Sequence, residues 1–200
     1  MNDRETNPEK DQDRVADLID HFDRFGDVMF KQQRKIYNEI ARRIPEGFTI
    51  LEAGCGNGVG SAILAQDHDV LATDISQRNV NFASCLYRSE NIDFATWDVK
   101  EECQWSRDAV VAIEVFEHVA NPEMVMNRLC HAANQEVWVT SPNGRALESP
   151  PSNPYHVSEY TVDEMISFVP NGWNVEPIEW STFNSYRNSS SSPVVYHLYL

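Results

Sequence analysis

The sequence is poor in basic side chains: 16 lysines and arginines stand against 31 aspartates and glutamates, a formal net charge of -15. Such a charge repels the phosphate backbone of nucleic acids and the anionic surface of membranes. The nearest approach to a basic cluster, within residues 31–43, has the helical spacing of a solvated face. A nucleic-acid partner is therefore not expected, and neither is a membrane.

Cysteine is scarce, and long apolar runs are missing. The four cysteines form no CxxC pair, so they fit neither a zinc cluster nor the disulfide framework of a small secreted domain. The first residues are polar, and no segment approaches the roughly 18 apolar residues that a membrane span requires. We therefore expect a protein of the reducing cytoplasm.

The length of 200 residues and the apolar content of 42% suit one domain with its own core. Residues 1–13 are polar and are predicted to be a disordered arm. A single domain is predicted over 14–200, with amphipathic helices over 14–45 and the main fold over 48–200. In the helical part, apolar residues recur at helical spacing from Val15 to Ile44.

Beyond residue 48, short apolar runs alternate with helical stretches. This serial alternation predicts an α/β fold, a doubly wound and mostly parallel sheet with helices on both faces. Ser76 is a candidate helix cap, and Thr161 with Glu164 has the pattern of a capping box. The predicted strands are 49–53, 70–74, 92–97, 109–113, 137–140, 175–180 and 194–200, and the predicted helices are 61–65, 76–87, 122–133 and one that opens at 161.

The first predicted strand ends in a glycine-rich turn that runs from Glu52 to Gly58. In open α/β sheets the ligand lies beyond the carboxyl ends of the strands. The turn lacks the lysine of a P-loop and the third glycine of GxGxxG, so two phosphate-binding motifs are excluded. The Glu52 carboxylate would repel a pyrophosphate and favour a ligand with an ammonium and a sulfonium group. S-adenosylmethionine is such a ligand.

Carboxylates also end the next two predicted strands. Asp74, twenty residues after Gly54, can accept hydrogen bonds from both ribose hydroxyls, and Asp98 can accept one from an adenine amino group. Each has a structural explanation as well. Asp74 can be the anion at the N-terminus of the helix that begins near Ser76, and Asp98 can belong to an exposed charged loop.

In this order the motifs resemble those of the class I S-adenosylmethionine-dependent methyltransferases, over roughly residues 48–200. The family's first motif, an acid followed by GxGxG, is similar to the segment from Glu52 to Gly58. The resemblance implies an enzyme with a seven-stranded Rossmann-like sheet, its last strand antiparallel, that uses S-adenosyl-L-methionine. The cofactor-binding residues that it implies are Glu52, Ala53, Gly54, Cys55, Gly56, Gly58, Asp74, Ile75, Asp98, Val99 and Glu114.

After the fourth strand, the stretch Ile113–Val119 is similar to the EVLEHV signature of small-molecule methyltransferases of the ubiquinone-biosynthesis type. The resemblance implies a small-molecule acceptor that is methylated on oxygen or nitrogen. His118 and then His156 are the predicted catalytic bases, because a histidine titrates near neutral pH. In the structural alternative, Glu117 and His118 orient the loop and Glu114 contacts the methionine end of the cofactor.

Two further hypotheses stay open. Glu114, Glu117, His118 and His156 are similar to the metal site of 2′-O-methyltransferases that act on the 3′ ends of small RNAs, where carboxylates and imidazoles hold a divalent ion. The net charge argues against RNA, so no metal ligand is assigned. The other hypothesis is a non-catalytic relative that serves as a partner subunit. No motif indicates the acceptor or the oligomeric state, and the loop 143–160 is predicted to border the acceptor pocket.

Overall fold

The computed structural model describes residues 33–142, 156–179 and 193–200. The predicted arm over 1–13, the part of the predicted helical pattern that precedes residue 33, and most of the loop 143–160 lie outside the described residues. The described residues contain no helix long and apolar enough to cross a lipid bilayer.

The elements follow the predicted order. Within the described residues seven strands form one sheet: β1 (Thr49–Ala53), β2 (Asp69–Asp74), β3 (Ile92–Thr96), β4 (Arg107–Ala112), β5 (Ala133–Pro142), β6 (Asn174–Glu179) and β7 (Pro193–Tyr199). The helices are α1 (33–43), α2 (Val59–Leu64), α3 (Gln77–Tyr87), α4 (Pro122–Ala132) and α5 (Val162–Ser167), with a 3-10 turn at Phe116–His118.

The strand order in the sheet is β3-β2-β1-β4-β5-β7-β6. Neighbours among β1 to β5 run parallel, whereas β7 is antiparallel to both β5 and β6. The predicted doubly wound sheet with an antiparallel last strand is therefore confirmed. The order reverses between β1 and β4, and a crevice for a ligand is expected at the carboxyl ends of strands beside such a reversal.

Apolar side chains cover both faces of the sheet. On one face Ile36 and Ile40 of α1 share a buried cluster with α2 and with Trp138 of β5. On the other face Met126 of α4 and Met165 of α5 pack with residues of β4, β5 and β7. Because the helices cover both faces of the sheet, polar groups can come together at the ends of the strands.

Two strands begin earlier than their apolar runs suggest. β5 starts at Ala133 rather than at 137, because α4 passes directly into extended backbone and Ala133 already pairs with Arg107 of β4. The intervening Asn134 and Gln135 are polar and exposed, so the apolar pattern of the sequence did not predict a strand there. β4 starts at Arg107, with a register shift before Ala109. Hydrogen bonding to the neighbouring strand sets these boundaries, and this pairing cannot be read from the apolar pattern of the sequence.

The predicted helix caps are confirmed. The Ser76 hydroxyl accepts a hydrogen bond from the Asn79 amide at the start of α3. Thr161 and Glu164 form both hydrogen bonds of a capping box at α5. These caps satisfy amide groups that a helix end otherwise leaves unpaired, and the Ser76 cap fixes the direction in which α3 leaves the end of β2.

Candidate active site

The glycine turn after β1 has a backbone that only glycine adopts readily. Gly54, Gly56 and Gly58 have φ angles of 80°, 53° and 83°. A Cβ atom at Gly54 would lie 2.7 Å from Val115 Cγ2, so packing also demands glycine there. A Cβ atom at Gly56 would meet nothing within 4 Å, so the backbone at Gly56 faces open space that a ligand can approach.

Glu52 lies beneath this turn and has no exposed surface. The Tyr37 hydroxyl donates a hydrogen bond to Glu52 Oε1 at 2.8 Å, and the Ser61 hydroxyl donates one to Oε2 at 2.5 Å. Burial raises the pKa of the Glu52 carboxyl to about 7, and the nearby Asp74 charge adds to the rise. Both oxygens of the Glu52 carboxylate are therefore already hydrogen-bonded, and its charge acts on the turn electrostatically.

Asp74 joins the glycine turn to α3. Its Oδ2 atom accepts a hydrogen bond from the Gly56 amide at 2.9 Å, and its Oδ1 atom accepts bonds from the Ser76 amide at 2.8 Å and the Asn79 side chain at 3.2 Å. The structural explanation for Asp74, an anion at a helix N-terminus, is thus present in the fold. It places the carboxylate beside the open backbone of Gly56.

Asp98 and Ile75 border a cavity of about 460 Å³ beyond the ends of β2 and β3. Ile75 is 51% exposed, an unusual degree for an isoleucine in this position. The Asp98 carboxylate accepts a hydrogen bond from the Lys100 amide at 2.9 Å and lies 3.6 Å from the Lys100 ammonium group. The residues that line the cavity are Ile75, Thr96, Trp97, Asp98, Glu101, Glu102, Gln104 and Trp105.

The remaining predicted residues of this half of the site contribute backbone and packing. Ala53 and Cys55 are buried, and Val99 is half-buried against the core. Burial raises the pKa of the Cys55 thiol, so this side chain stays neutral. Its amide donates to the Thr73 carbonyl oxygen at 2.8 Å, which ties the turn to β2.

Glu114, directly beyond β4, has a strained backbone. Its φ angle of 56° is the one positive value at a non-glycine residue in the described part of the chain. The Thr140 hydroxyl at the end of β5 accepts a hydrogen bond from the Glu114 amide and donates one to Oε1, both at 3.0 Å. Burial raises the pKa of the Glu114 carboxyl, against the opposing effects of Thr140, Glu117 and His156. One hydroxyl therefore holds both the backbone and the side chain.

The two predicted catalytic histidines lie together. The ring centroids of His118 and His156 are 5.2 Å apart, with the rings nearly perpendicular. A backbone link brings the segments together, because the Val157 amide donates to the Glu117 carbonyl oxygen at 2.7 Å. His156 Nδ1 lies 2.8 Å from Glu159 Oε1. The structure thus joins residues that are far apart in sequence.

Glu117 completes this cluster, and its side chain is almost fully buried. Its Oε1 atom lies 3.9 Å from His118 Nε2. Glu117, His118 and His156 each offer a ligand atom, and the three atoms lie within 4.8 Å of one another. The group can therefore exchange protons or hold a cation.

Comparison with known proteins relates part of this chain to methyltransferases. The model of a methyltransferase domain matches residues 51–138. The ubiquinone biosynthesis O-methyltransferase of Rickettsia akari is 33% identical over 105 residues, which cover 50% of this chain and 39% of that protein. A probable S-adenosylmethionine-dependent methyltransferase of Mycobacterium tuberculosis is 27% identical over 147 residues, 70% of this chain and 53% of that one. The chain thus spans about two fifths to one half of these curated relatives.

Solved structures share the fold. A TehB-like S-adenosylmethionine-dependent methyltransferase from Corynebacterium glutamicum superposes with a TM-score of 0.68 at 17% identity, over 96% of this chain and 99% of that chain. The magnesium protoporphyrin IX methyltransferase of Synechocystis with bound SAH gives a TM-score of 0.66 at 15% identity, over 92% and 99%. The sequence thus matches a methyltransferase domain over residues 51–138, and the fold is that of solved S-adenosylmethionine-dependent methyltransferases. The resemblance to S-adenosylmethionine-dependent methyltransferases that the sequence predicted is confirmed.

Three residues of the candidate site were not predicted from the sequence: Tyr37, Ser61 and Thr140. Thr140 had a usable signal, because a polar residue that ends a strand beside the central strand lies at the ligand edge of the sheet. Ser61 had a weaker one, its place in the first turn of the helix after the glycines. Tyr37 had none, since nothing in the sequence gives the direction of α1 relative to the sheet.

Proposed function

We propose that the protein transfers a methyl group from S-adenosylmethionine to a small-molecule acceptor, at an oxygen or nitrogen atom. One observation carries the proposal: Glu52, Asp74 and Asp98 stand at or just beyond the carboxyl ends of the adjacent parallel strands β1, β2 and β3, around a turn with open backbone. This arrangement suits a nucleoside that carries positive charge and no phosphate.

The residues present fit this cofactor. A carboxylate offers about four acceptor sites, and the described contacts of Asp74 use three, so a ribose hydroxyl can still be accommodated. Ile75, Asp98 and the Val99 backbone would hold the adenine at the cavity of about 460 Å³. The turn backbone and Glu114 would hold the methionine end. When bound, the cofactor supplies an electrophilic methyl group on a sulfonium sulfur.

The chain's own residues then have two tasks, to hold the acceptor in line and to take its proton. We assign the second task to His118, with His156 as the alternative. When His156 Nδ1 donates to Glu159, Nε2 is the proton-accepting nitrogen of that ring. The proton of an acceptor O–H or N–H group would pass to such a nitrogen as the new bond to carbon forms.

Several observations support a small acceptor in the cytoplasm. The formal charge of -15 disfavours nucleic acid. One relative is named for ubiquinone biosynthesis, and one solved neighbour for magnesium protoporphyrin IX, both small molecules. All four cysteines are free thiols, as a reducing compartment allows. We also propose that residues 14–200 form one domain, since residues of α1 and β7 share one buried cluster.

Calorimetry followed by an activity screen tests the proposal. We expect the protein to bind S-adenosylmethionine and to transfer radiolabelled methyl groups into the small-molecule fraction of a cell extract, in preference to the RNA, DNA or protein fractions. Binding of a dinucleotide in place of S-adenosylmethionine would contradict the proposal. Binding without transfer to any fraction would favour a non-catalytic partner subunit.

Substitution of the histidines tests the catalytic assignment. His118→Gln should lower kcat by about 10²–10⁴-fold and leave the affinity for S-adenosylmethionine unchanged, because general-base catalysis contributes on this scale. His156→Gln is the matched variant, and the larger loss identifies the base. If both variants keep the wild-type kcat, neither histidine acts as the base.

The cluster of Glu117, His118 and His156 favours a second candidate, a methyltransferase that depends on a divalent ion. Glu117, His118 and His156 would hold the ion, which would supply Lewis-acid activation of an acceptor hydroxyl. A chelator distinguishes the two mechanisms. Turnover that a chelator abolishes and Mg²⁺ or Mn²⁺ restores would select the ion, with Mn²⁺ binding lost in Glu117→Gln. Turnover that is unchanged by the chelator would support the histidine base.

A further inference from the structure

Two hydroxyl groups from different helices hold the carboxylate beneath the glycine turn. Tyr37 of α1 donates to Glu52 Oε1 at 2.8 Å, and Ser61 of α2 donates to Oε2 at 2.5 Å. All three side chains are buried. Each carboxylate oxygen therefore has a donor, and one of these donors comes from the helix that precedes the whole sheet.

Packing fixes the position of the Tyr37 hydroxyl. A Cβ atom at Gly60 would lie 2.1 Å from Tyr37 Cζ, so the ring rests directly on the backbone of α2. Gly60 is the neighbour of Ser61, so Tyr37 and Ser61 approach Glu52 from a common packed surface. The absence of a side chain at Gly60 is what lets the ring of Tyr37 reach this place.

The surroundings of Glu52 disfavour its ionised form, and among the described residues only the two hydroxyl donors favour it. Burial and the Asp74 carboxylate raise the pKa of Glu52, whereas the hydrogen bonds from Ser61 and Tyr37 lower it. The phenol is a dependable donor, because burial and the Glu52 charge raise its own pKa well above the usual value, with smaller effects of the same sign from Cys55 and Glu114. How much negative charge lies under the turn near neutral pH thus depends on the two hydroxyls.

We propose that Tyr37 is a positioning residue for the cofactor: from α1 its hydroxyl, with that of Ser61, keeps Glu52 as an oriented carboxylate beneath the turn, where the cationic end of the ligand binds. This inference rests on the proposed function. It makes α1 a part of the binding site, although α1 lies outside the segment that matches the methyltransferase domain, residues 51–138.

The expected effect has a distinct pH dependence. A cation that binds near Glu52 favours the ionised form, so affinity falls as the pH drops below the pKa of Glu52 in the unliganded protein. Removal of a hydrogen bond to a charged group costs about 1.5 kcal/mol or more, which corresponds to about one pH unit in that pKa. The affinity of a variant without the phenol should therefore begin to fall at a higher pH.

Tyr37→Phe tests this, because it removes the donor and keeps the ring on Gly60. Calorimetry with S-adenosylmethionine should show affinity close to wild type at high pH and a midpoint of the loss about one pH unit higher. Ser61→Ala should behave alike, and Ser61→Thr, which keeps a hydroxyl, should restore the wild-type midpoint. In a Glu52→Gln background the Tyr37→Phe change should have no further effect, since the charge that it supports is gone.

A wild-type pH midpoint in Tyr37→Phe would overturn the inference. An equal loss of affinity at every pH, with a lower melting temperature, would also overturn it, because it indicates a structural role alone. A carbon-13 NMR titration of Glu52 in the unliganded protein separates this failure from failure of the proposed function. If the wild type binds no cofactor, the proposed function fails. If the pKa of Glu52 is the same in Tyr37→Phe as in the wild type, the phenol does not stabilise the Glu52 charge, whether or not the cofactor binds.

Discussion

The two halves of the ligand edge use their carboxylates in different ways. On the cofactor side, beyond β1 to β3, Glu52, Asp74 and Asp98 all accept hydrogen bonds from hydroxyls, amides or side chains of the chain itself. On the acceptor side, beyond β4, Glu117 instead faces histidines: its Oε1 atom lies 3.9 Å from His118 Nε2, and His156 belongs to the same cluster.

This difference separates binding from chemistry. Donors hold the cofactor-side carboxylates in place before any ligand arrives, and such preorganisation lowers the entropic cost of binding. On the acceptor side, a carboxylate and two imidazoles lie within reach of one another, and both kinds of group can carry a proton. A group of side chains that can hold or release a proton is what a transfer reaction needs.

The largest effect should come from Asp74→Ala on the cofactor side. Loss of the charge-assisted hydrogen bond to a ribose hydroxyl, at about 1.5–3 kcal/mol, predicts about ten- to hundredfold weaker binding of S-adenosylmethionine by calorimetry. The substitution also removes the acceptor of the Gly56 and Ser76 amides, so the melting temperature should fall. Asp74→Asn keeps one oxygen and the shape, and should bind with intermediate affinity. Unchanged affinity in both variants would disprove the ribose assignment.

Glu52 should make stability depend on pH. Because its pKa is raised to about 7, the folded protein binds this proton more tightly than the unfolded chain does. The carboxyl is therefore most favourable to folding below its ordinary pKa range, and this contribution is lost as the pH rises to about 7. In urea unfolding, the free-energy difference between wild type and Glu52→Gln should change by about 3 kcal/mol over that range. A difference that is constant with pH would show that Glu52 does not titrate in this range.

The smallest effect should come from Thr140, which tests whether Glu114, beyond the fourth strand, also depends on a fixed hydrogen-bond partner. Thr140→Val preserves the shape but leaves the Glu114 amide and carboxyl without this partner. We expect the free energy of unfolding to fall by about 1–3 kcal/mol, and Thr140→Ser to lose less, because it keeps the hydroxyl. Equal losses in the two variants would assign the effect to packing of the methyl group.

The cofactor side was predictable because its signals are local. A glycine turn, the acids that end successive strands and the Ser76 cap are each encoded within a few neighbouring residues, and serial alternation of strands and helices brings them to one edge. The meeting of His118 with His156 needed the family resemblance, since the two are far apart in the chain. The backbone bond from Val157 to Glu117 that joins them has no sequence signal.

The features that the sequence did not predict depend on how the helices and strands pack against one another. The early start of β5 at Ala133 follows from pairing with β4 and β7 rather than from composition. The bond from Tyr37 to Glu52 needs the angle at which α1 crosses the sheet, and an apolar period gives the buried face of a helix but not that angle. The positive φ of Glu114 is equally hidden, because glutamate rarely adopts it and only the Thr140 hydroxyl explains it.

The bond between Tyr37 and Glu52 also limits how the protein can be divided. A fragment trimmed to the matched segment would keep the glycines and the acids at the strand ends, yet would leave a buried carboxylate with one donor instead of two. Grafting that segment onto another scaffold would carry the same defect. Shortened versions should therefore be cut well before residue 33, where α1 begins in the described structure, if ligand affinity is to be measured faithfully.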